Sequence, residues 1–157
     1  MLTPAMKTSP NGRHFIEMEE ESGVPKLQPY DDGTGTLTIG FGHTSMAGLP
    51  RVYAGMTITA AEADAILGSD LAAVEADVNH HICVELTQNQ FDALVSFDFN
   101  TGALDRSGLL MAINNRHGDV TAAFEAWRYA KVHGVEVPEL LGRRQREAAL
   151  YLTGASA

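Results

Sequence analysis

The chain reads as an α+β protein with its β part early, and three observations predict this. The run Tyr30–Thr44, "YDDGTGTLTIGFGHT", sets β-branched and aromatic residues between glycines, as a short hairpin or small sheet does. A helix-opening signal stands before it, at Ser9-Pro10. Beyond Thr59 apolar residues recur three and four apart behind capping signals, so the remainder reads as helix.

Taken in order, Ser9 is the expected N-cap and Pro10 the first helical position of a helix carrying Phe15, Ile16 and Met18. "SGVPKLQPY", with its two prolines and a glycine, should end that helix. The turn-like "DDGTG" then leads into the strand-like "GTLTIGFGH". Thr59 with Glu62 is a capping box, followed by Ala63, Leu67, Leu71, Val74 and Val78 on one face. Thr87 with Gln90 repeats the device before Phe91, Leu94 and Val95. Gly118 is expected to close one helix and Asp119 to cap the next, which carries Val120, Ala123, Phe124 and Trp127. Pro138 opens the last helix, and Gly154 is its expected end.

Composition narrows the function classes. With 157 residues, 45% hydrophobic and 20% charged, the chain fits one globular domain rather than a disordered segment. Its formal net charge of −9 argues against binding to a phosphate backbone. One cysteine, Cys83, cannot close an intrachain disulfide, which fits synthesis in a cytoplasm. The N-terminal residues lack the apolar core of a signal peptide, and no run has the roughly 18 apolar residues of a membrane helix.

Metal and nucleophile chemistry find little support. A calcium loop starting at Asp31 or Asp32 would have Thr36 or Leu37 where glycine belongs. His80, His81 and Cys83 are metal-type side chains, but neighbours on a helix point apart and no second cluster completes a set. Helix-end histidines and a buried free thiol are expected there instead. No serine lies in a nucleophile-elbow pattern. No metal and no cofactor is expected.

Paired carboxylates remain. An inverting glycosidase needs one carboxylic acid to protonate the leaving oxygen and one carboxylate to hold a water on the opposite face of the sugar. At about 100° per residue, Glu20 lies about 40° from Ile16 around the helix, whereas Glu21 lies about 140° away. Glu20 is thus nearest the buried side, where partial desolvation favours the protonated form. Glu17, Glu19 and Glu21 read as a solvated face.

The run from Ser9 to Thr44 resembles the N-terminal half of the phage-type lysozymes, glycoside hydrolase family 24. The matching residues are Leu27, Tyr30, Asp32, Gly35 and the sequence Thr38-Ile39-Gly40-Phe41-Gly42-His43, with five residues between Asp32 and Thr38 as the family has. "LTQNQFDALVSFDFNTG" and "GRRQREAALYL" are similar to the family's later helices. The family usually has eight residues between its glutamate and aspartate, a count that lands here on Gly23, so this chain carries extra residues after the helix. Aligning Phe15-Ile16 with the family's apolar pair selects Glu20; aligning Ser22-Gly23 with its glycine selects Glu21.

The resemblance implies a single lysozyme-like domain over 1–157, with a helix and β lobe at 9–58, a helical lobe at 59–157 and the cleft between them. It implies a muramidase cleaving the β-1,4 bond between N-acetylmuramic acid and N-acetylglucosamine, Glu20 as general acid, and Asp32 with Thr38 positioning the attacking water. His43 is expected to be structural, and Trp127 and Phe91 core. Bacterial peptidoglycan is the expected partner, with no nucleic acid and no membrane, and a monomer the expected state. The implied location is the host cytoplasm until lysis, with release through a holin, then the periplasm and wall. Two rivals stand beside this reading: a lytic transglycosylase, which has no need of the water-holding pair, and a non-catalytic wall-binding module.

Overall fold

The computed structural model describes residues 4–129 and 134–153. They form α1 (Pro10–Glu21), β1 (Lys26–Asp31), β2 (Leu37–Gly40), β3 (His43–Thr44), α2 (Ala60–His81), α3 (Gln88–Thr101), α4 (Gly108–Asn114), α5 (Val120–Glu125) and α6 (Pro138–Thr153), with short 3-10 turns at Ser45–Ala47 and Leu104–Arg106. This is the α+β order expected: one antiparallel sheet, β1-β2-β3, followed by helices.

The helix starts follow the sequence. The Ser9 hydroxyl accepts from Gly12 N at 3.0 Å and caps α1, while donating to Asp92 Oδ2 at 2.5 Å. Gly12 has to be glycine, since a Cβ there would lie 2.3 Å from Asp92 Cγ. The capping boxes form at Thr59 and Thr87, and Asp119 Oδ1 accepts from Ala122 N. Where α4 stops, the structure differs from expectation: it ends at Asn114, four residues before Gly118. Arg116 takes the left-handed conformation (φ 51°), and His117 N and Arg116 N donate to Ala112 O and Ile113 O. Gly154 lies outside the described residues.

The second difference is β1. "KLQPYD", read as a helix terminator, is also a strand, with its register slipping between Lys26 and Tyr30. Pro29 is tolerated because β1 is an edge strand and the ladder is irregular beside it.

The chain divides into two compact units, residues Arg13–Ala73 and, as the other, those up to Gly12 with those from Val74 onward. The first buries Ile16, Ile39, Phe41, Val52, Ile58, Ala63 and Leu67. Ile58 N donates to Leu27 O at 3.0 Å, which ties the segment before α2 to β1. The second unit buries Phe91, Leu94, Phe97, Leu104, Leu109 and Phe124, and within it lies an ionic cluster: Glu147, fully buried, pairs with Arg143 Nε at 3.0 Å and Arg144 Nε at 2.9 Å and accepts from Ser96 Oγ at 2.7 Å.

Candidate active site

The end of α1 presents Glu20 and Glu21 to different surroundings. After Glu21 the chain leaves the helix through Ser22 and Gly23, both at positive φ. Tyr30 on β1 donates its hydroxyl to Glu21 Oε1 at 2.5 Å, and Lys26 Nζ lies 3.8 Å from Oε2. Glu21 therefore ties the helix end to the strand. Glu20 instead faces the bend between β2 and β3: a Cβ added to Gly42 (φ +84°) would sit 2.9 Å from Glu20 Oε2. Glycine there lets the carboxylate reach the backbone of the turn.

The turn between β1 and β2 separates its two aspartates. Asp31 Oδ1 accepts from the amides of Gly33 and Gly35 at 2.8 and 3.0 Å, so it holds the turn together. Asp32 is exposed; its Oδ1 accepts from the amide and hydroxyl of Thr34 at 2.8 and 2.6 Å. The Thr34 hydroxyl and amide hold the Asp32 carboxyl below its ordinary value, and it stays ionised. Thr38, on β2 opposite Tyr30 and Thr44, is buried, with its hydroxyl 3.4 Å from Thr36 O.

Tyr30 stands among these acids. Burial raises its pKa most, reinforced by the bond to Glu21 and by the charges of Glu21, Glu20 and Asp32. Glu20, Asp32 and Thr38 thus come together around Tyr30 within the unit Arg13–Ala73. Sequence reasoning had missed Gly42 as the floor under Glu20 and Thr34 as the holder of Asp32. The latter had a signal: a threonine two residues after an aspartate in a turn is a local hydrogen-bonding pattern.

His43 is buried, with Nδ1 2.7 Å from Asp70 Oδ2 and Nε2 2.8 Å from Pro50 O. A carbonyl only accepts, so Nε2 carries a hydrogen and the ring is fixed by two partners. Burial pushes the Asp70 carboxyl up, and His43 opposes this. Both ring nitrogens of His43 are thus engaged by the protein.

Other expectations fared differently. Phe91 is core, but Trp127 is only half-buried, packed edge-to-face on Phe97 at 5.9 Å with its open side lining a cavity. Cys83 is exposed rather than buried, because it falls in the loop after α2, where its amide donates to Asn114. Among the described residues no group of three or more His, Cys, Asp or Glu side chains is arranged to hold a metal ion, and no helix is long and apolar enough to cross a membrane.

The family model for phage lysozyme matches residues 20–147. The chain belongs to the phage lysozyme family. It is 39% identical over 151 residues to the endolysin of Salmonella phage P22, covering 94% of this chain and 99% of that one. Among solved structures it is similar to an endolysin from Escherichia coli O157:H7 phage FAHEc1 (TM-score 0.85, 34% identity, 96% of each chain). It is also similar to the muramidase domain of SpmX from Asticaccaulis excentricus (TM-score 0.81, 34% identity, 93% of this chain and 97% of that one). The family and the α+β fold expected from the motif residues are those of the chain.

Proposed function

We propose that this member of the phage lysozyme family is a peptidoglycan hydrolase, a muramidase that cleaves the β-1,4 bond between N-acetylmuramic acid and N-acetylglucosamine. The observation that carries the assignment of roles is the division of labour among the acids. Glu21 is taken up by Tyr30 and Lys26 and Asp31 by the turn amides, whereas Glu20 faces the Gly42 backbone and Asp32 is exposed and held ionised.

In this reading the protonated Glu20 gives its proton to the glycosidic oxygen as the C1–O bond breaks. A water held by Asp32 and the Thr38 hydroxyl attacks C1 from the opposite face, Asp32 takes its proton, and the product is inverted. Threonine suits the task because its hydroxyl both donates and accepts. Before lysis the enzyme would reside in the host cytoplasm, and it would act on the wall afterwards.

The test is digestion of purified walls. Reducing ends at the expected linkage, with inverted configuration, support the reading; 1,6-anhydro products would replace it with a lytic transglycosylase, and wall binding without hydrolysis would make it a binding module.

A further inference from the structure

The loop that follows β3 exposes apolar side chains that the unit Arg13–Ala73 neither buries nor uses at the site proposed above. Met46 is 93% exposed, Leu49 86% and Tyr53 59%. Single exposed apolar residues are ordinary on a protein surface. Three of them crowded into one short loop mark a surface made to be covered.

The loop is built to hold them out. The Ser45 hydroxyl accepts from Val52 N at 2.8 Å and lies 3.4 Å from Val52 O, so the chain is pinned to itself at the loop's base. Behind the pin Val52, Met56 and Ile58 are buried, and the His43 ring donates to Pro50 O at 2.8 Å. Between Ser45 and Val52 stands "MAGLPR", Met46 to Arg51, in which every residue but Pro50 is exposed. A tip fixed by buried anchors has little conformational freedom left to lose when it binds.

Charge suits the same segment. The chain holds 20 acids, yet none falls between Asp32 and Glu62, its longest acid-free run, and the one Lys or Arg in that run is Arg51. Salt screens exposed charges beyond about 8 Å, so what the tip meets depends chiefly on the tip's own charge, which is positive.

The form of the tip selects its partner. Near-complete exposure means that no wall of this protein encloses Met46 or Leu49, so the tip is convex. A second copy fits poorly, because the six residues Met46 to Arg51 fall short of the about 800 Å² per partner that a specific interface buries. A lipid headgroup layer makes room for protruding apolar side chains without a preformed pocket. Tyrosine settles at its depth, and a guanidinium pairs with its phosphates.

We propose that the loop from Ser45 to Tyr53 docks this protein on the surface of a phospholipid bilayer, with Met46 and Leu49 entering the acyl boundary, Tyr53 at headgroup level and Arg51 on a lipid phosphate. The expectation of no membrane partner rested on the absence of a spanning run, and a contact of this depth needs none. The inference is independent of the hydrolase reading. Joined to it, the loop holds the enzyme at the membrane between cytoplasm and wall.

Flotation with vesicles of phosphatidylethanolamine and phosphatidylglycerol tests it. The unmodified chain should float with the vesicles, Met46→Ser and Leu49→Ser should each weaken partitioning about tenfold, and Arg51→Gln about fivefold. All three variants should keep the urea midpoint and the rate of hydrolysis on lipid-free walls, since none of these residues belongs to the proposed site. Trp127 is the sole tryptophan, so a chain with Leu49→Trp and Trp127→Phe carries its one indole at the tip. Its emission should shift to the blue when vesicles are added and be quenched by lipids brominated in the acyl chains. No flotation of the unmodified chain, flotation untouched by the three substitutions, or an unshifted tip tryptophan would overturn the proposal. Dimerisation in sedimentation that Leu49→Ser abolishes would replace the bilayer with a second copy. Slower hydrolysis of lipid-free walls by the three variants would replace it with the wall itself.

Discussion

Two carboxylates, one in each unit, sit in opposite surroundings. In the helical unit Glu147 is fully buried between two guanidiniums and a serine hydroxyl, so its charge is committed to packing. In the unit with the sheet, Asp32 is exposed and held by a single neighbouring threonine. Similar groups are buried as scaffold or left open to solvent according to how many partners enclose them.

The largest effect is expected at the buried cluster. Glu147→Gln strands two guanidiniums without their counter-charge and should cost about 3–5 kcal/mol in urea denaturation. Glu21→Gln, which only weakens the tie to Tyr30, should cost about 1 kcal/mol. Equal losses would erase the contrast between the units.

His43 tests whether the sheet unit also has committed groups. His43→Leu strands Asp70 and a carbonyl and should lower stability by about 2 kcal/mol while activity per folded molecule is retained. Lost activity at full stability would make His43 a reagent.

The smallest effect is a shift in pH dependence. Asp32 is lowered in the folded state, so its contribution to stability is present above its unfolded value and is lost as pH falls through the lowered folded one. The acidic limb of kcat/KM should follow the same folded value. Thr34→Val removes the hydroxyl bond and should move that limb upward, toward the ordinary aspartate value near 3.8. An unmoved limb would mean that Asp32 is not the base.

Helix starts were legible because a cap is a local event: Ser9, Thr59, Thr87 and Asp119 all do what their neighbours dictate. The end of α4 was not, because Arg116, two residues before Gly118, accepts a left-handed conformation that glycine would take more readily. β1 was hidden because Pro25 before it and Pro29 within it signal breakage, and only its edge position makes Pro29 harmless. At the site, the resemblance to the phage-type lysozyme motif pointed to Asp32 and Thr38, and helical angles favoured Glu20 over Glu21. The contacts that distinguish those glutamates, Tyr30 with one and Gly42 with the other, join segments that no short window of sequence connects.

The central claim is that Glu20 supplies the proton. It is tested most directly by measuring reducing-end release from purified peptidoglycan by Glu20→Gln and Glu21→Gln, each verified as folded. Glu20→Gln should abolish hydrolysis while Glu21→Gln retains most of it; the reverse ranking would contradict the assignment.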